Sequence, residues 1–361
     1  MAITTYLDFL NAYVLAMAAN EDVTIEVAGE FEIEALLPAL KTHYKVKVVS
    51  YSGSCTLFSP LYADHDFNHF TITTGGLILE NIKLDKHPLE VNHSYGGVEV
   101  GNNGSLELIN CQLIQLKSKT AGGVWVKRNG RFIMRNSSIL TCLGDIAGAI
   151  WVEEDATFNM EEGSIICDCL ALNDAYGAQL VIYGDMLLSS GLITNSQPST
   201  FNGIKLGEEA TFTMKEGQIT KCLIGLQVES GSTAIIEEGI FAFNQVGIAT
   251  QKLGSRKKIE INGGIFHDNR VGIELNDGFE LTMTSGQIYN HHDPQGAGIV
   301  GIYGKNGKFT MTGGEIFNNV QGIAWQQNQL NCDIKGDVKI YNNGFGLLLD
   351  HATVSVSGGK I

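Results

Sequence analysis

The side chains with chemistry to offer are the carboxylates, nine histidines, seven cysteines and three tryptophans, and their spacing decides whether any act together. Glycosidic hydrolysis needs two carboxylates about 5–10 Å apart on one surface. The chain carries acidic doublets at Glu153-Glu154, Glu161-Glu162, Glu208-Glu209 and Glu237-Glu238. Oxygen-rich clusters of that kind also suit Ca²⁺. Equivalent turns of the neighbouring repeats hold Lys127-Arg128, Ser189-Ser190 or Thr284-Ser285 instead, so no acidic column builds. The doublets read as solvated turn charges. Asp64-His65-Asp66 with His69, and His291-His292-Asp293, gather ligand types without the spacing of a metal motif. No metal and no cofactor are expected. Cys167 and Cys169 flank Asp168, but there is no CxxC pair, and an odd cysteine count argues against a complete disulfide framework. The cysteines read as small buried hydrophobes.

Bulk properties narrow the partners. The net charge is −15, and the only basic run is Arg256-Lys257-Lys258. A nucleic-acid reader carries a basic face, so nucleic acid is not an expected partner. No apolar run reaches the roughly 18 residues of a membrane-spanning helix, so membrane insertion is not expected either. The chain opens without a secretory signal, so an exported protein would have its signal removed or placed in a longer precursor. Forty-three glycines against five prolines suit many tight turns and few linkers.

Those residues sit on a repeat. The segments 123–139, 149–165, 203–219 and 272–288 align with one another as three short strands separated by turns. Apolar residues alternate within each strand, as in Val124-x-Val126, Phe132-x-Met134, Ile204-x-Leu206 and Phe212-x-Met214. A period of two turns one set inward and the other outward. Third-strand anchors then fall at Leu113, Ile139, Ile165, Ile193, Ile219, Phe241, Phe266, Ile288, Ile316, Ile340 and Ile361. One coil cannot bury its own apolar residues, but stacked coils bury them against each other. The expected fold is all-β: a right-handed, single-stranded parallel β-helix of about a dozen three-strand coils. Three residues past each anchor stand Cys142, Asp168, Ser196, Cys222, Asn244, Asn269, His291, Asn319 and Asn343, read as a stacked corner ladder. Residues 4–17 have helical spacing, with Thr4 or Thr5 as cap, and Val23–Val27 and Tyr44–Val49 read as strands. Residues 1–69 are therefore expected to cap the stack and 70–361 to form one continuous domain. The C-terminus shows no equivalent cap, so a following domain or another subunit is expected there.

With this layout the chain resembles the pectate-lyase-like right-handed β-helix superfamily, and within it the non-catalytic adhesive β-helix domains of bacterial surface proteins. The capping helix, the coil GGLILENIKL (75–84) and the recurring GI-x-V…FTM-x-GG-x-I-x-N-N pattern at 301–319 carry the resemblance. It covers nearly the whole chain, and it speaks for fold more than for activity. The superfamily's lyases imply clustered Asp for Ca²⁺ with an Arg or Lys base, and its hydrolases imply Asn-x-Asp, an Asp pair, Gly-His-Gly and Arg-x-Lys. The outward residues expected on strand one are Glu99, Trp125, Trp151, Lys205, Gln227, Ala249, Glu274 and Tyr303, with no Asp cluster, and the hydrolase set is absent. No catalytic residue is assigned.

Loop length marks the working face. The connection back to strand one is longer after Leu113, Ile139, Ile165 and Ile193 than after Ile219, Phe241 and Phe266. The long loops border the coils of Trp125 and Trp151, expected at the same outward position one strand apart, where an indole pair would form a platform for a sugar. Glu99, Lys127, Tyr176 and Lys205 complete the candidate ligand site. The competing reading is that a loop folds over the pair as ordinary packing; Trp325 is read as core. The functional expectation is a non-catalytic, extracellular or cell-surface binding solenoid whose partner is a polysaccharide or a host-surface glycan or protein. A polysaccharide lyase or glycoside hydrolase, including a phage tailspike on a virion, and a structural spacer stay open beside it.

Overall fold

The computed structural model describes residues 2–61, 67–90, 93–173, 177–198, 200–251, 256–276, 278–291, 297–301, 307–325, 330–349 and 353–361. The fold is a parallel β-solenoid of about 11 turns with one short helix near its N-terminus. Contacts divide the chain into two units, Met1–Asp185 and Met186–Ile361.

In the first unit, helix α1 (Tyr6–Ala18) starts where Thr5 accepts the Asp8 backbone N–H and donates to the Asp8 carboxylate at 2.8 Å. That cap satisfies one helix donor, the Asp8 N–H, which has no partner inside the helix. Its buried face, Phe9, Tyr13 and Ala16, meets Phe31 and Phe70, with ring centroids 5.8–6.3 Å apart. Three strand rows follow. Row one contains Val98–Val100, Val124–Val126 and Ile150–Val152. Row two contains Gly104–Ile109, Arg131–Arg135 and Thr157–Met160, and row three contains Gln112–Ile114, Ser138–Leu140 and Ile165–Cys167. All pair in parallel, and the inward residues Val124, Val126, Phe132, Met134 and Ile139 are fully buried.

Two expectations change in this unit. Ile139 pairs with Ile166, not Ile165, which is 38% exposed. The turn after Met160 holds one residue more than the turn after Met134, and it closes through Gly163 at φ 71. The positive φ favours glycine there, and a Cβ on Gly163 would displace the Asn136 side-chain oxygen, which lies 2.0 Å from its position. The long connections are also not plain loops. Ser94–Tyr95, Leu116–Ser118, Leu143–Gly144 and Leu170–Ala171 pair in parallel as a fourth short row.

The second unit repeats the three rows. Row one includes Asn202–Leu206, Ile224–Val228, Val246–Thr250 and Val271–Leu275. Each of these opens at Gly203, Gly225, Gly247 or Gly272, where a Cβ would come within 2.4–2.8 Å of the next coil's glycine carbonyl. Row three runs Gln218–Thr220, Ile240–Ala242, Ile265–His267 and Gln287–Tyr289, then the ends of Gly307–Phe317 and Leu330–Tyr341. The corner ladder is present with two changes. Its members are Asn195, Cys222, Asn244, Asn269, His291, Asn319 and Asn343, so Asn195 stands where Ser196 was expected. In the first unit Cys169 stands where Asp168 was expected, its sulfur 3.4 Å from the Cys142 backbone N–H. The left-handed backbone belongs to the residue before the rung, as at Asp168, Lys221, Asp268, Asn290 and Asn318, with φ 51 to 61, Asn195 being the exception. One residue bends the chain, and the next bonds along the stack. Trp325 is buried against Phe279, as expected of core.

Candidate functional site

The outward column of row one in the first unit reads Glu99, Trp125, Trp151, Val181, each in register with the next. Flanking inward valines and isoleucines pin the strands, so the two indoles can only point outward. Their centroids lie 5.2 Å apart with planes 3° from parallel, within the range of offset-stacked pairs. Both rings are half-buried. Ala121 and Ala147 from the long connections pack against the pair together with Ala178 and Val181. Part of the packing reading therefore holds: the loops cover one side and leave the other open.

Polar groups frame the open side. Lys127 Nζ lies 4.1 Å from the Trp125 ring centroid and 2.5 Å from Glu99 Oε1, so both expected polar contacts are present and engage each other. A cation over an indole face is worth about 0.5–1 kcal/mol where water reaches it. Trp125 Nε1 donates to Glu153 Oε1 at 2.9 Å, and the Arg128 backbone N–H donates to Glu153 Oε2 at 3.0 Å. Glu153 is thus a bridging acceptor rather than a solvated turn charge. The exposed Arg128 side chain pairs with Glu154 and Asp155. Trp151 Nε1 is buried and meets no acceptor. Beside it opens a cleft of about 580 Å³ lined by Asn102, Arg128, Trp151, Glu153, Glu154 and Tyr183.

The remaining expected site residues fall elsewhere. Tyr176 lies outside the described residues. Lys205 belongs to the second unit, where its ammonium is 3.5 Å from Glu229 Oε1. Its column continues Gln227, Ala249, Glu274, Val300 and Ala324, so Val300 takes the position expected for Tyr303. The sequence reading missed Glu153, Tyr183 and Asn102. Glu153 reaches Trp125 from the next coil, and the equal spacing of the coils was the available signal.

Among the described residues no group of three or more His, Cys, Asp or Glu gathers as a metal site. His69 is wholly buried, its Nδ1 accepting the Gly97 backbone N–H at 3.1 Å, and burial pushes its pKa down to about 3. Asp64, His65, Asp66, His292 and Asp293 lie outside the described residues, and His291 is a ladder rung. A second groove, of about 650 Å³, lies over row two between Lys45, Ser105, Glu107 and Arg131, with Glu107 held by Arg135.

No curated protein matches the sequence. Solved structures similar in fold include the following two. One is the A-module of a mannuronan C-5 epimerase from Azotobacter vinelandii, 12% identical, covering 98% of this chain and 94% of that one at a TM-score of 0.40. The other is a periplasmic alginate epimerase, 8% identical, covering 92% of this chain and 78% of that one at a TM-score of 0.42. The family model described as a right-handed β-helix region matches residues 122–288 and 202–361. With the parallel rows, the inward columns and the ladder already seen, the chain belongs to the right-handed β-helix family.

Proposed function

We propose that this protein is a non-catalytic binding solenoid that takes a carbohydrate in the cleft beside Trp151. The observation that carries the reading is the half-open indole pair with its polar frame. Sugar recognition combines apolar ring contact with hydrogen bonds to hydroxyls. The cleft supplies both, with Trp151 and Tyr183 as rings and Asn102, Arg128 and Glu154 as polar groups. Its volume lies in the range of ligand pockets. The orphaned Trp151 donor costs stability, about 1–3 kcal/mol, and local rules are broken most often where function requires it. Display outside the cell fits the cysteines. No disulfide links any of the seven, six are buried, and burial pushes Cys55, Cys111 and Cys332 up to about 12, so an oxidising exterior finds few thiolates to attack.

The test is a polysaccharide panel read on the same samples for retained protein and for released reducing or unsaturated ends. Retention without product is expected, weakened at least tenfold by Arg128→Ala/Tyr183→Ala. Equal retention of that variant removes the ligand from this cleft. Product release overturns the non-catalytic reading.

A further inference from the structure

The second unit carries a row of aromatic rings on the outside of row three. In successive coils the residue after the buried anchor is His267, Tyr289, Phe317 and Tyr341, each in register with the next. Ring centroids are 5.5, 4.9 and 5.1 Å apart, with planes within 13° of parallel. Phe243, 55% exposed, closes one end edge-on to His267 at 5.7 Å, and Tyr341, 39% exposed, stands at the other. The residue before the last three anchors supplies a parallel polar row, Gln287, Glu315 and Lys339, and Ile265 stands in that position beside His267. Glu315 joins the two rows, 2.7 Å from Lys339 Nζ and accepting from the Tyr341 hydroxyl at 3.1 Å.

We infer that this double row is a binding rail for a neutral linear polysaccharide lying across successive coils. Stacking between coils accounts for part of the row, since aromatic pairs add about 0.5–1.5 kcal/mol beyond area burial. Stacking alone does not account for rings left partly in water beside a matched line of hydrogen-bonding groups. A surface that sets an aromatic ring beside a hydrogen-bonding side chain in three successive coils suits a ligand that repeats at the same step. An extended polypeptide advances about 3.3 Å per residue and each strand of a nucleic-acid duplex about 3.4 Å per nucleotide. Neither matches steps of 4.9–5.5 Å, whereas one pyranose of an extended chain does. Glu315 and Lys339 neutralise each other, which favours an uncharged polymer over a polyanion or a polycation. The rail stands on its own observations and does not depend on the Trp151 cleft.

Affinity electrophoresis of the full chain through gels containing hydroxyethylcellulose, glucomannan, xyloglucan or alginate tests it. Retardation by at least one neutral polymer is expected, reduced tenfold or more in Tyr289→Leu/Phe317→Leu and unchanged in Lys308→Ala, an exposed position outside both sites. Far-UV circular dichroism checks the fold of each variant. If the double variant does not fold, Tyr341→Ala at the exposed end decides, with at least threefold weakening expected. No retardation by any neutral polymer, retardation by alginate alone, or undiminished retardation of the rail variants overturns the inference. Loss confined to the Arg128/Tyr183 variant overturns the rail and leaves the cleft standing.

Discussion

Individual residues show where burial sets chemistry. His69 receives a backbone N–H at Nδ1, so its ring is held neutral, and burial keeps its pKa near 3 against 6.5 for the unfolded chain. A depressed histidine pKa means that the unfolded chain binds the extra proton. Its contribution is therefore complete above pH 6.5 and is lost as pH falls from 6.5 toward 3, by about 1.4 kcal/mol per unit. Urea midpoints at pH 7, 5.5 and 4.5 should fall more steeply for the wild type than for His69→Gln; equal slopes would assign the acid sensitivity to other groups. Tyr13 illustrates the cost of an unanswered donor. Its hydroxyl is buried under α1 without a partner, and burial raises its pKa. Removing a buried, unbonded hydroxyl costs nothing in hydrogen bonding, so Tyr13→Phe is expected to raise the urea midpoint or leave it unchanged. A drop of more than about 1 kcal/mol would show a hidden acceptor.

Among the elements, the corner ladder ties each coil to the next. Asn269 accepts the backbone N–H and the side-chain N–H of Asn244, and it donates to the Phe241 carbonyl at 2.9 Å. Asn269→Ala strands all three groups in the interior, and a loss of about 3 kcal/mol is expected in denaturant unfolding. Thr220 is the comparison: it is buried, and it shares one hydroxyl–hydroxyl bond of 2.7 Å with Thr194. Thr220→Ala should therefore cost about 1 kcal/mol or less. The four-strand row of the first unit acts at the same scale. It turns what would be loose connections into a wall, and its flanking alanines leave the indoles half-open rather than buried.

The whole molecule is a device for repeating a surface at a fixed step. Charge and thiols follow from that. The net charge of −15 is carried on outward positions and turns, while six of the seven cysteines point into the stack. Native protein should react with Ellman's reagent at no more than one thiol, Cys167, and denatured protein at seven. Two or more fast-reacting thiols in the native state would show that the coils open. Among the described residues no helix is long and apolar enough to cross a membrane.

The sequence by itself determined the period-two alternation, the anchors other than Ile165 and the pairing of Trp125 with Trp151, because each depends on side chains that recur at the coil repeat. It also held the aromatic row, one position past anchors already placed at Phe266, Ile288, Ile316 and Ile340. Only the tertiary structure decided what depends on turn length and on contacts between coils. One extra residue at Gly163 moved the anchor from Ile165 to Ile166, which no alternation pattern reveals. The bond from Trp125 to Glu153 joins residues one coil apart, and the fourth row turned expected loops into strands. Alternation is a local property of the chain. The partner of an outward side chain is chosen by whatever the next coil places beside it.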